Sequence, residues 1–148
     1  MSLGNSPLNI FGNTVTVQVS GADSGGKLAV VHDVTPPLGG PPLHKHLTDT
    51  EAFYVLEGSF VFELDGVLRT LGVGESITIL PGVVHLYQNV GELPGRMLIV
   101  TTPAGLDEFF VELDELLKSS AEPDMPAIAA LHGRFGMELL GPPLVART

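Results

Sequence analysis

The stretch GGPPLHKHLTDTEAFYVLEG, residues 39–58, and its continuation GESITILPGVVHLYQN, residues 74–89, decide how this chain reads. Together they hold three of its five histidines, set between glycine and proline turns. His44 and His46 stand two apart, so on a strand their side chains leave one face and can reach one ion. Glu51 opens the next alternating run and shares its face with Phe53. His85 enters after the Pro81-Gly82 turn. Three imidazoles and one carboxylate suit a single divalent first-row metal, and a six-coordinate ion would keep two positions for water, dioxygen or substrate.

Outward from this stretch the period is that of strands. Val15, Val17 and Val19 alternate with Thr14, Thr16 and Gln18, the pattern of a half-buried strand. Gly21 to Gly26 reads as a loop, and Lys27 to Thr35 as a second, β-branched strand. Residues 36–42 hold four prolines and two glycines, a stiff extended lead-in that delivers the chain to the histidine pair. Further strands are expected at Glu51–Glu57, Ser59–Leu64, Val67–Leu71, Ser76–Leu80, His85–Val90 and Arg96–Thr102. Asp65-Gly66 signals a two-residue hairpin with positive φ at both positions. Pro81-Gly82 suits a type II turn. Seven or eight short strands joined by such turns argue for an all-β jelly-roll or small barrel.

The tail changes period. Leu106, Phe109, Phe110, Leu113, Leu116 and Leu117 form a helical stripe opposed by Asp107, Glu108, Glu112, Asp114 and Glu115. The segment Pro123 to Pro126 breaks this helix. A second, shorter helix is expected over about 127–131, ending near Gly133 or Gly136. Both belong to a helical appendage, about residues 105–133, closing against the barrel or across a dimer seam.

The whole chain bounds the function. Its 148 residues suit one domain, residues 1–148. Seventeen acidic against seven basic residues give a formal charge of −10, which repels nucleic acid and anionic membrane. Neither is expected as a partner. Without cysteine, disulfides, thiolate metal sites and thiol nucleophiles are excluded. No apolar run approaches the roughly 20 residues of a membrane span, so a soluble, cytoplasmic protein is expected. Residues 1–3 read as an expression scar.

The histidine stretch resembles the two motifs of the cupin superfamily. In the first, His-x-His is followed after three or four residues by Glu and six later by Gly; His44, His46, Glu51 and Gly58 meet it, with the leading glycine offset by one at Gly39. In the second, Gly74, Gly82, His85 and Asn89 match in register, while Leu80 stands where the first proline is usual and Pro81 lies beside it. The resemblance implies a cupin jelly-roll, a double-stranded β-helix barrel, with its motif core at residues 39–89. The nearest likeness is to small single-domain cupins similar to bacterial quercetin (flavonol) dioxygenases. It rests on Gly40 to His44, on Glu51 to Gly58, on the helix opening Pro103 to Leu106 with Phe109 and Phe110, and on Gly141-Pro142-Pro143.

That likeness implies one divalent transition metal per chain (Ni, Mn, Fe, Co, Cu or Zn) held by His44, His46, Glu51 and His85. Glu51 would be both ligand and catalytic base for a substrate hydroxyl, with dioxygen as co-substrate. Phe53, Tyr87, Phe60 and Phe62 are candidates for an aromatic pocket wall, against the simpler reading of strand-spaced aromatics as core. His32 and His132 fall outside both motifs and read as structural or surface residues. Asn89 reads as tying down a strand end. Three functions stay open: an oxygenase of a small aromatic or enol substrate, a cupin isomerase or lyase, and a non-catalytic small-molecule binding cupin. Edge strands left by a jelly-roll make a homodimer the expected assembly.

Overall fold

Alternation sorts the strands into two antiparallel sheets that press their apolar faces together. The computed structural model describes residues 6–147, so residues 1–3 lie outside the described residues. The strands are β1 (Leu8–Ile10), β2 (Asn13–Val19), β3 (Ala29–Thr35), β4 (Leu43–His46), β5 (Thr50–Glu57), β6 (Phe60–Leu64), β7 (Val67–Leu71), β8 (Ser76–Ile79), β9 (His85–Asn89), β10 (Gly95–Thr102) and β11 (Met137–Gly141). One sheet has the order β1-β2-β3-β10-β5-β8 and the other β11-β4-β9-β6-β7. The fold is a double-sheet jelly-roll, all-β apart from its helices. No helix among the described residues is long and apolar enough to cross a membrane.

Side chains of one parity fill the space between the sheets. Val15, Val17, Val31, Phe53, Val55, Met97 and Ile99 from the six-stranded sheet are buried with Phe60, Phe62 and Tyr87 from the other. Each fully buried large apolar side chain contributes about 1.5–3 kcal/mol by leaving water. The aromatic rings meet edge-on, with Phe53 and Phe62 centroids 5.0 Å apart and Phe60 and Tyr87 5.9 Å apart.

The turns take the conformations their residues dictate. Asp65 and Gly66 have φ of 46° and 85°, the positive pair a tight hairpin needs. Leu80 to Val83 closes through a bond from Val83 N to Leu80 O of 3.3 Å, with Gly82 at φ 86°. Gly82 N also donates to His46 O at 2.7 Å, which fastens the turn before β9 to the end of β4. The unusual Leu80 therefore leaves the turn intact. Just before the offset Gly39, Leu38 itself adopts φ 66°, a conformation that costs an L residue about 1–2 kcal/mol.

Three expectations need correction. Gly21 to Gly26 is not simply a loop, because Gly21–Ser24 forms a short helix, α1. Ser20 accepts from Asp23 N and Asp23 reaches back to Ser20 N, a capping box, and Gly25 ends the turn at φ 66°. There are eleven strands among the described residues rather than seven or eight. The three-residue β1 is too short to show a period, and β11 lies beyond the expected end of the helical tail, in a stretch with no strand alternation. Its Met137, Glu138, Leu139 and Leu140 favour helix, yet pairing with β4 makes them a strand. Finally, the second helix is longer than expected, Met125–Arg134. Asp124 caps it through Ala127 N, and Pro126 sits in the first turn, where its missing N–H costs nothing.

The two long helices, α2 (Leu106–Lys118) and α3 (Met125–Arg134), cover one side of the sandwich. Leu106, Phe109 and Leu113 of α2 and Ile128 and Leu131 of α3 are buried in the same core as the strands. The expected stripe is thus the buried face of α2.

Candidate metal centre

Both sheets supply the site. β4 and β9 are neighbours, and His44 lies opposite His85. His44 and His46 face inward, while Lys45 between them faces out and reaches Glu138 at 3.5 Å. Glu51 comes from the other sheet, beside Thr101 of β10. One ligand atom from each of His44, His46, Glu51 and His85 lies within 4.8 Å of the others. The four residues predicted from spacing are brought together.

Their orientation is fixed from behind. His44 Nδ1 donates to the Pro42 carbonyl at 2.8 Å and His85 Nδ1 to the Val83 carbonyl at 2.9 Å. A carbonyl only accepts, so in each ring Nδ1 carries the proton and Nε2 is the nitrogen offered to the cluster. Both carbonyls lie two residues upstream, in the proline-rich lead-in and in the turn before β9. The stiff segment that delivers the histidines also sets their tautomers.

Within the cluster His85 and Glu51 form a close pair. His85 Nε2 donates to Glu51 Oε1 at 3.1 Å. Burial pulls the His85 pKa down, but the bond to Glu51 and its charge outweigh this and raise it above the ordinary value. Burial likewise pushes Glu51 up, yet the His85 bond and the charges of His46, His85 and His44 bring it to about 2. Desolvation and the neighbouring His85 take His44 down to about 3, so it stays neutral.

Of the four cluster residues, His46 is the one left without a hydrogen bond; among the other described residues Thr101 Oγ1 is also buried without a partner. The His46 side chain is 3 % exposed, and neither ring nitrogen has a hydrogen-bond partner. Asp49 Oδ2 at 3.7 Å and Glu51 Oε1 at 3.4 Å are close without making one. A buried polar atom without a partner costs about 1–3 kcal/mol. An ion among the four residues would give that nitrogen its partner, and the donor set, nitrogen with one carboxylate, is that of first-row divalent metals. The residues fit the metal.

A cavity of about 70 Å³ runs from this cluster into the sandwich, lined by His44, His46, Glu51, Phe53 and Tyr87 and closed by Phe109, Phe110 and Leu113 of α2. Phe53 and Tyr87 therefore stand where an aromatic pocket wall was expected. Phe60 and Phe62 do not line it. Both are fully buried and packed against Tyr87, so the plain reading of strand-spaced aromatics as core applies to them. An open groove of about 550 Å³ adjoins the cavity, sharing Phe11, Gly40 and Pro42 with it.

Two titratable residues on the cavity wall, Asp33 and His132, lie outside the motifs. Asp33, 1 % exposed on β3, accepts from Thr35 Oγ1 at 2.6 Å, Tyr87 Oη at 3.0 Å and Asn13 Nδ2 at 3.3 Å. Burial with no cation beside it raises its pKa to about 6, although those three bonds oppose the shift. His132, taken from sequence as structural or surface, is 5 % exposed and lines the same cavity. Its place on the buried stripe of α3, four residues after Ile128, was the available signal. His32 is partly exposed and lies outside the site. Asn89 does tie down a strand end, donating to Thr35 O at 2.9 Å and Leu93 O at 3.0 Å.

Comparison with known proteins points the same way as the geometry. Residues 31–101 match the family model described as cupin domain. An uncharacterized protein of Methanocaldococcus jannaschii is 32% identical over 79 residues, 53% of this chain and 63% of that protein. The match thus spans a little under two thirds of that relative's length. Among solved structures, a predicted oxalate decarboxylase from Thermotoga maritima aligns with TM-score 0.61 at 23% identity, over 70% of this chain and 96% of that one. A sugar phosphate isomerase of a cupin superfamily from Silicibacter pomeroyi aligns with TM-score 0.56 at 21% identity, over 64% and 61%. At such identities the likeness is one of fold.

Proposed function

We propose that this chain, whose residues 31–101 match the cupin domain model, is a metal-dependent dioxygenase of a small aromatic or enol substrate. The observation that carries the metal reading is His46, buried with both nitrogens unpartnered inside a cluster of three further ligands. His44, His46, Glu51 and His85 would hold one divalent ion. When bound, it supplies Lewis acidity and a template for substrate and dioxygen.

The chain's own residues do the rest. Pro42 and Val83 carbonyls keep the imidazoles of His44 and His85 in the tautomer that offers Nε2 inward. Glu51 is ionised at neutral pH, the state required of a group that accepts the proton of a substrate hydroxyl. Phe53, Ile99, Phe109 and Leu113 make the cavity wall apolar and exclude bulk water, which strengthens every charge interaction inside. The cavity alone takes only a small ligand. A substrate of flavonol size would place its enol end there and its remaining rings in the adjoining groove.

Reconstitution with each of Ni, Mn, Fe, Co, Cu and Zn, followed by oxygen-electrode assays on flavonols and smaller enols, tests the reading. One dioxygen consumed per substrate is the expected result. Turnover without oxygen uptake would instead favour an isomerase or lyase, a reading that the small cavity supports. Binding without turnover on any metal would leave a binding cupin.

A further inference from the structure

We propose that His132 is a ligand-contacting residue of this cavity, its Nε2 accepting a hydrogen bond from a hydroxyl of the small oxygen ligand held at the four-residue cluster. The proposal rests on the metal reading above and adds to it the class of ligand: one bearing a hydroxyl donor beside its metal-binding oxygen, such as a small hydroxy acid or an enol.

The chemistry of the ring forces the assignment of its nitrogens. His132 Nδ1 lies 2.8 Å from the Ile128 carbonyl, one turn back on α3. The carbonyl can only accept, so Nδ1 holds the proton and Nε2 holds a lone pair. Among the described residues that lone pair has no hydrogen-bond donor. The ring is held by Phe109, edge-on with centroids 4.9 Å apart. It is thus a buried imidazole with a fixed tautomer and a vacant acceptor, on the wall of a cavity whose other polar groups include His44, His46 and Glu51. Those groups would be occupied by the ion, and Asn13, Asp33 and Tyr87 on the same wall are hydrogen-bonded to one another, which leaves His132 as an acceptor for the ligand itself. A purely structural histidine at this position would need only its Nδ1 bond and its packing on Phe109.

Two substitutions separate the nitrogens. His132→Asn places an amide N–H near Nδ1 and keeps the tether to Ile128 while removing the acceptor; His132→Gln places an amide oxygen near Nε2 and keeps an acceptor. The probes are glycolate and acetate, read by the visible absorption of cobalt(II)-loaded protein. The ratio of the two affinities in wild type includes chelation by the glycolate hydroxyl, so the comparison is between proteins. His132→Asn is expected to lower the glycolate-to-acetate ratio about tenfold, the worth of one hydrogen bond, with cobalt affinity and acetate binding unchanged. His132→Gln should keep the ratio within about threefold of wild type. An unchanged ratio in His132→Asn overturns the proposal, as does a loss of cobalt affinity, which would make His132 a metal ligand. Should both variants fail to fold, the 15N resonance of His132 Nε2 in zinc-loaded wild type decides: it must move with glycolate and stay with acetate, and equal response to both refutes the contact. A wild-type chain that takes up no cobalt at all fails the metal reading itself and this inference with it.

Discussion

Single residues decide the chemistry of the centre. His46 has no partner but the proposed ion, so His46→Ala should cut bound metal at least tenfold after purification without chelator, measured by elemental analysis. Unchanged metal content in that variant would assign the ion elsewhere. The pH dependence follows from His85. A ligating imidazole must be neutral, and the pairing with Glu51 raises the His85 pKa above its ordinary value. Metal affinity should therefore weaken as pH falls, starting above the free-histidine value, as calorimetric titration across pH 5 to 8 would show. Asp33 has a separate signature. Its pKa is about 6 in the folded protein against 3.8 ordinarily, so the folded state binds this proton more tightly than the unfolded chain does. That contribution is complete below pH 4 and is lost as pH rises through 6. Relative to Asp33→Asn, which cannot titrate, the wild type should lose about 2 kcal/mol between pH 4 and pH 7 in denaturant unfolding. A pH-independent difference would mean that Asp33 is not held in the protonated form.

At the scale of elements, the lead-in between β3 and β4 carries two adjacent demands of opposite sign. Leu38 is 58% exposed and sits at φ 66°, so Leu38→Gly relieves backbone strain while giving up little burial, and the thermal stability should rise by up to about 1 kcal/mol. At Gly40 a Cβ would lie 1.8 Å from the Tyr87 carbonyl oxygen, so Gly40→Ala must push the lead-in away from β9 and should cost roughly 2 kcal/mol or more. Calorimetry on the pair checks both, and a stability loss in Leu38→Gly would show that its side chain matters more than its backbone. The same segment shows how far sequence reaches. Four prolines announce an extended chain, and Asp65-Gly66 and Pro81-Gly82 announce their turns, because φ preference is local. What β11 does is not local. Its residues take strand form only because β4 offers an unpaired edge, whereas the capping box of Ser20 and Asp23 that starts α1 is a local signal.

For the whole molecule, a centre that joins both sheets would make an ion held there a fastener of the sandwich as well as a reagent. Anything that binds only the folded state stabilises it by mass action, about 4 kcal/mol at a thousandfold excess over Kd. Chelation should then lower Tm by roughly 10 °C, and a Tm insensitive to chelator would argue against an ion shared by β4, β5 and β9. The sequence by itself determined the strands between Thr14 and Thr102, the hairpin and type II turns, the amphipathic face of α2 and the four motif residues, since period, turn chemistry and side-chain parity are properties of neighbours along the chain. Only the tertiary structure decided that Glu51 meets the three histidines from the opposite sheet, that Phe53 and Tyr87 line the cavity while Phe60 and Phe62 fill the core, and that Asp33 and His132 face the same space. Those facts depend on which distant segments pack together, and packing is set by the sum of buried contacts over the whole chain, which no short window contains.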